Sequence, residues 1–294
     1  MAELQESNRR TQVLIARSID MSRPRPNAIS DLGYRVFSQF DDDGIISYLT
    51  GFVPPNHRQF VEFGVEDYLE SNTRLLLEKD NWSGLVLDGS QDQIDAIQSR
   101  HDHWRHNLTA AAAFIDAENI NSLLADQGID GTLGLLSVDI DGNDYWVWEA
   151  INAIEPLIVV CEYNAIFGDT ATVTVPYRPD FQRYQAHRSG LYAGASLAAL
   201  NHLATRRGLQ FVGCNRAGNN AYFVHPSLNH GLPALSVAEG FVDSQFREYR
   251  VGQKWLTARQ ARPILDEMTV VDVVTGGTMQ FGDAISNASY CEAA

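Results

Sequence analysis

The segment LLSVDIDGNDYWVWEAI, residues 135–151, sets Asp139, Asp141, Asp144 and Glu149 within eleven positions, directly after a short apolar run. Carboxylates in this arrangement support three chemistries: chelation of a hard cation, attack on a phosphoryl group, or activation of an acceptor hydroxyl beside an electrophile. The calcium-loop reading fails. The glycine needed at position 6 stands at position 4 as Gly142, and position 12 is Ala150 rather than glutamate. In hydroxyl activation, Asp139 or Asp141 would take the proton, with His187 as a third candidate base.

The pattern from Gln59 alternates strand and helix. QFVEFGV, GLVLDG, LTAAAAFID, LGLLSVDI and PLIVVCEYN read as strands, and the amphipathic stretches between them as helices. Five such units imply a parallel sheet covered by helices on both faces. LQFVGCN and NAYFVH, joined by a short glycine-containing link, form a hairpin and so add an antiparallel strand. The expected fold is an α/β, Rossmann-like, doubly wound sheet of seven strands. Residues 1–55 form an N-terminal arm and helix, the first 28 of them mobile and the helix opened by the acids of FSQFDDDGII. Residues 56–228 make the core and 229–294 a C-terminal extension. A long loop, residues 165–190, is a candidate for function on length alone.

In a doubly wound sheet, ligands bind beyond the carboxyl ends of the strands. Those ends carry Glu62 and Gly64, then Asp88, Asp116, Asp139 with Asp141, and Glu162. The first loop, VEFGVED, lacks the G-x-G-x-x-G of a dinucleotide site, and Glu62, Glu66 and Asp67 would repel a diphosphate. Carboxylates there suit a ligand with an ammonium and a sulfonium, which describes S-adenosylmethionine. Asp88 is placed to accept both ribose hydroxyls and Asp116 the adenine amino hydrogen, with Ile115 or Ala117 against the ring.

Taken together, SQFDDDGII, VEFGVEDYLESNT, NWSGLVLDGS, AFIDAENI, LLSVDIDGNDYWVWEAI and VVCEYN resemble the FkbM-type, class I S-adenosylmethionine-dependent methyltransferases over about two thirds of the chain. The resemblance implies a donor held by Glu62, Gly64, Val65, Glu66, Asp67 and Asn72, by Asp88, Gly89 and Ser90, by Asp116 and Ala117, and by Asp139. Glu66 departs from it, because many such enzymes have a second glycine there. The implied acceptor is a small molecule, a sugar or another alcohol, met by Asn143, Asn164 and Tyr192. A divalent metal, magnesium or calcium, on Asp139, Asp141 and Glu162 would lower the acceptor's pKa directly.

Two other classes stay open. VDIDG also resembles the DxDG of haloacid-dehalogenase-type phosphatases, which would imply Asp139 as nucleophile and Asp141 as acid, although that motif belongs on a first strand and three strand–helix units precede it here. Lys254 is the one later lysine, and FGD at 281–283 is a thin match to the later acidic motif. A catalytically silent donor-binding protein would share the same fold.

A net charge of −15 argues against nucleic acid as a partner. No apolar run approaches the roughly 20 residues of a membrane span, and MAELQESNRRTQ lacks an apolar signal core, which points to a cytoplasmic protein. Three cysteines suggest no disulfide framework. HDHWRH reads as a solvated helix end, and Tyr145 with Trp148 as helix-to-sheet packing. The extension would cover the pocket or join copies into a homo-oligomer.

Overall fold

The computed structural model describes residues 2–246 and 249–292. Its centre is a sheet of seven strands: β1 Gln59–Phe63, β2 Ser83–Asp88, β3 Leu108–Ala112, β4 Leu135–Val138, β5 Ile158–Glu162, β6 Gln210–Cys214 and β7 Asn220–Val224. They lie in the order β3-β2-β1-β4-β5-β7-β6. The first five are parallel, and β7 runs antiparallel to both β5 and β6. This is the expected Rossmann-like sheet with one reversed strand. The order turns back between β1 and β4, the switch point at which such sheets open a crevice.

Helices cover both faces because the strands are apolar on both. Phe60 packs into a cluster with Ile45, Leu76, Ile94 and Ile97, on α2 (Asp42–Thr50), α3 (Arg74–Asp80) and α4 (Gln91–Gln98). Val61 and Phe63 point the other way. They join Ile120, Trp148 and Leu200 on α5 (Ile120–Asp126), α6 (Asp144–Ala150) and α7 (Leu197–Arg206). Tyr145 and Trp148 are buried in that second layer, as packing residues should be. Cys161 and Cys214 are buried free thiols; the side chain of Cys291 lies outside the described residues.

Two expectations need correction. The N-terminal arm is a 21-residue helix, α1 (Ala2–Ser22), seated on α3. Arg9 pairs with Glu78 and Asp102, Arg17 donates to the Lys79 carbonyl, and Lys79 Nζ lies 2.9 Å from Asp20. Ala16, with Val13, also packs against Phe37 and Leu75, so a short apolar patch and ion pairs together dock a helix of polar composition, and Pro24 and Pro26 lie just beyond its end. Second, β3 stops at Ala112, four residues before Asp116.

The C-terminal extension packs with the long loop. Val173–Thr174 pairs with Thr269–Asp272, which pairs with Thr278–Gln280. Phe167, Phe181, Leu265, Val270 and Phe281 form a separate apolar cluster between loop and tail. Phe167 and Phe281 are in ring contact at 5.1 Å. The two segments bury each other and stand over the carboxyl ends of β4 and β5.

Asp42 joins the N-terminal part to the last hairpin. It is fully buried, and it accepts hydrogen bonds from Asn215 and Asn220 Nδ2, each at 3.0 Å, and from the Tyr222 hydroxyl. Burial raises its pKa, while the three donors act in the opposite direction. Asn215 and Asn220, which flank the hairpin turn, cage this carboxylate.

Candidate functional site

A cleft of about 690 Å³ opens at the carboxyl ends of β1, β2, β4 and β5. Its inner wall carries Glu62, Gly64, Asp88, Asp139 and Glu162, and its outer wall carries Phe181, Arg183 and Tyr184 from the long loop with Phe246 and Trp255 from the extension. Four of the five strand-end acids therefore converge. Asp116 does not. With β3 ending early, Asp116 caps the following turn, its Oδ1 accepting from the Glu118 and Asn119 amides, while the Ala117 amide donates to the Tyr177 hydroxyl. Phe114 and Ile115 line the cleft in their place.

The β1 loop is built around Gly64. Its φ is +70°, and a β-carbon there would lie 1.8 Å from the Asp139 carbonyl oxygen. Only glycine satisfies both. Glu62 serves this loop as an anchor: Oε1 accepts from the Asn72 amide at 2.7 Å, and Oε2 accepts from the Thr73 amide and hydroxyl. Burial holds its pKa above the usual carboxylate range, with these donors pulling the other way. Val65 is buried in the core, and Asp67 accepts from the Leu69 amide, so neither lines the cleft. Glu66 and Asn72 do line it.

Asp88 ends β2 with each carboxylate oxygen holding one amide, Glu66 N–H on Oδ2 and Ser90 N–H on Oδ1, both at 2.8 Å. Each oxygen keeps a lone pair for a ligand hydroxyl. Gly89 lines the cleft beside it; Ser90 turns away to cap α4 at Gln93.

At the other end, carboxylate oxygens of Asp139, Asp141 and Glu162 all lie within 4.8 Å of one another. Asp141 sits at φ +58° and forms an ion pair with Arg183, whose Nε donates to the Gly190 carbonyl at 2.9 Å. Burial, with the Asp141 and Asp144 carboxylates adding to it, holds Asp139 well above the usual carboxylate range, against a hydrogen bond with Glu162. Asp144 accepts from the Ile140 and Gly142 amides and shapes the loop; burial pushes it up to about 6.

The remaining candidates serve the frame. His187 contacts the Ser189 hydroxyl and does not line the cleft. Tyr192 is buried, donating to the Thr269 carbonyl. Asn164 ties down the loop through the Leu191 and Ala193 carbonyls and lines only a small side cavity of about 60 Å³. Asn143 lines the main cleft; its Nδ2 donates to the Arg178 carbonyl at 2.7 Å. Sequence reasoning missed Arg183, Tyr184, Phe246 and Trp255. The loop's length was the only signal, and the extension gave none.

No family model matches the chain, and no curated protein matches it. Among solved structures, the chain resembles the N-terminal domain of EvdMO1 with SAH bound at a TM-score of 0.41 and 12% identity, over 74% of this chain and 94% of that one. It resembles the O-methyltransferase from Bacillus cereus in complex with SAH at 0.41 and 10%, over 73% and 90%. Likenesses this low carry no weight for function, which rests on the cleft itself. Among the described residues, no helix is long and apolar enough to cross a membrane.

Proposed function

We propose that this chain is a cytoplasmic S-adenosylmethionine-dependent methyltransferase of FkbM type that methylates a hydroxyl of a small polar acceptor, a carbohydrate. The observation that carries the reading is the meeting of Glu62, Asp88, Asp139 and Glu162 around one cleft at the turning point of the sheet. The motif resemblance supports it.

The residues present fit the donor. Asp88 has lone pairs left for two ribose hydroxyls, and Phe114 and Ile115 offer an apolar slot for a purine. Glu66 and Asn72 stand beside the Gly64 turn, where an ammonium would be neutralised. When bound, the donor supplies a methyl group on a sulfonium, and the electron pair of the broken S–C bond stays on sulfur.

Asp139 would take the proton from the acceptor hydroxyl. Its burial makes it a stronger base than an ordinary carboxylate, and a positioned base contributes on the order of 10²–10⁴-fold. The loop and extension hold the acceptor and exclude water; such positioning supplies up to roughly 7–11 kcal/mol of a barrier.

A second reading places magnesium or calcium on Asp139, Asp141 and Glu162, favoured by the closeness of their oxygens. Arg183 already holds Asp141, so an ion would have to displace a guanidinium. Loss of rate on chelation, restored by added magnesium or calcium, would establish this reading; an unchanged rate ends it. Nothing in the cleft favours phosphoryl transfer. Lys254 does not line it, and Phe281 of the FGD triplet is buried between loop and extension.

S-adenosylhomocysteine tests the proposal directly. It should raise the melting temperature in proportion to RT ln(1 + [L]/Kd). No rise at millimolar ligand would overturn the reading. A rise without turnover on any sugar would leave a donor-binding protein.

A further inference from the structure

The last hairpin turn brings two side-chain amides to the end of the cleft where β5 stops. Asn219 and Asn220 are each 5% exposed, and both line the cleft. The Asn219 carbonyl accepts from the Tyr163 amide at 2.8 Å, and Asn220 stands opposite Glu162 in the β5–β7 pairing. Asn219 also borders the small side cavity, as Glu162, Arg183 and Phe246 do.

An asparagine can turn either end of its amide toward a partner, and here the neighbours decide which. Asn215 Oδ1 accepts the backbone amides of Gly218, Asn219 and Asn220 at 3.0, 3.2 and 3.2 Å, so its oxygen faces the turn. Its Nδ2 therefore faces the buried Asp42 carboxylate at 3.0 Å and Asn219 at 2.8 Å. Only an oxygen can receive that second N–H. This fixes Asn219 with Oδ1 toward Asn215 and Nδ2 away from it. Asn220 is sorted in the opposite sense: its Nδ2 is spent on Asp42 at 3.0 Å, and Oδ1 remains. Among the described residues nothing pairs with Asn219 Nδ2 or Asn220 Oδ1. One is a donor and the other an acceptor, and neither is charged. A sugar hydroxyl likewise gives one hydrogen and has lone pairs to receive another.

We propose that Asn219 and Asn220 bind the acceptor, Asn219 Nδ2 donating to a sugar oxygen other than the one methylated and Asn220 Oδ1 accepting a sugar hydroxyl hydrogen. Asn215 is the positioning residue that holds Asn219 in this orientation. The inference rests on the methyltransferase reading and deepens it, because the ionised carboxylates of the cleft accept hydrogen bonds and give none.

The test uses the full-length protein saturated with S-adenosylhomocysteine and titrated calorimetrically with glucose, galactose, mannose and xylose. At least one should bind. Asn219→Asp keeps the shape and the oxygen that meets Asn215 while exchanging the donor for an acceptor. It should weaken that sugar at least about tenfold, and Asn219→Ala about two- to tenfold, with S-adenosylhomocysteine affinity unchanged in both. Asn215→Ser should weaken the sugar too, yet add nothing further in the Asn219→Ala background, because it acts through Asn219. Full additivity of those two losses overturns the positioning role. Wild-type sugar affinity in Asn219→Asp overturns the binding role, as does a donor-loaded protein that binds none of the sugars. If S-adenosylhomocysteine itself fails to bind, the parent reading falls; sugar titrations of donor-free wild type and Asn219→Asp then decide this inference by itself.

Discussion

Gly64 and Asp139 meet backbone to backbone where β1 and β4 end, with no room between them for a side chain. The donor loop and the proposed base are therefore fixed by one contact. Gly64→Ala should be severe: the positive φ alone costs about 1 kcal/mol or more, and the collision with the Asp139 carbonyl adds to it. Urea unfolding should show a lower midpoint, and the thermal response to S-adenosylhomocysteine should vanish. A variant with wild-type midpoint and response would disprove the contact.

On the proposed reading, Asp88→Ala removes a charged acceptor for two ribose hydroxyls, each such bond being worth roughly 1.5–3 kcal/mol. Calorimetry should find S-adenosylhomocysteine bound at least about a hundredfold more weakly. Asp116→Ala, away from the cleft, should leave that affinity near wild type and lower only stability.

The raised pKa of Asp139 makes two pH predictions. The proposed base must be ionised, so kcat/KM should climb with pH through a value above the ordinary carboxylate range. Asp141→Asn removes a neighbouring negative charge that helps to raise it, so the limb should move to lower pH. Stability runs the other way. An acid whose folded pKa is raised stabilises the fold fully below its unfolded pKa, about 3.9, and that stability is lost as pH rises through the folded value. Asp139→Asn should therefore melt higher than wild type at pH 8, with the gap closing below about pH 4. Differential scanning calorimetry at the two pH values decides it.

Phe281→Ala should separate the roof from the floor. Phe281 is fully buried against Phe167, and such a truncation costs about 3–5 kcal/mol. Because this cluster carries the long loop and the extension, KM for the acceptor should rise several-fold while S-adenosylhomocysteine affinity holds. Equal losses of both would mean that the outer cluster supports the whole domain.

The sheet was legible in the sequence because its strands are short apolar runs separated by amphipathic stretches, several of them with an acid at or just beyond the carboxyl end. The reversed β7 was legible from the short link before Asn220. What the sequence hid was commitment. Glu62, Asp116 and Asn164 are residue types that bind ligands, yet each spends its hydrogen bonds on nearby backbone. The outer wall was hidden for another reason: Arg183 and Trp255 reach the cleft only because two distant segments bury each other, and contacts across that separation leave no local period.

The carboxylate of Asp42 has one further consequence, and it concerns time. Its hydroxyl partner lies 180 residues downstream, so during synthesis the anion leaves the ribosome long before the groups that will enclose it. Contacts so remote in sequence form late, because the intervening chain must first be organised. The wall of the cleft nearest Asn220 is therefore completed only after Tyr222 has emerged, so nascent chains shorter than that should lack a finished cleft.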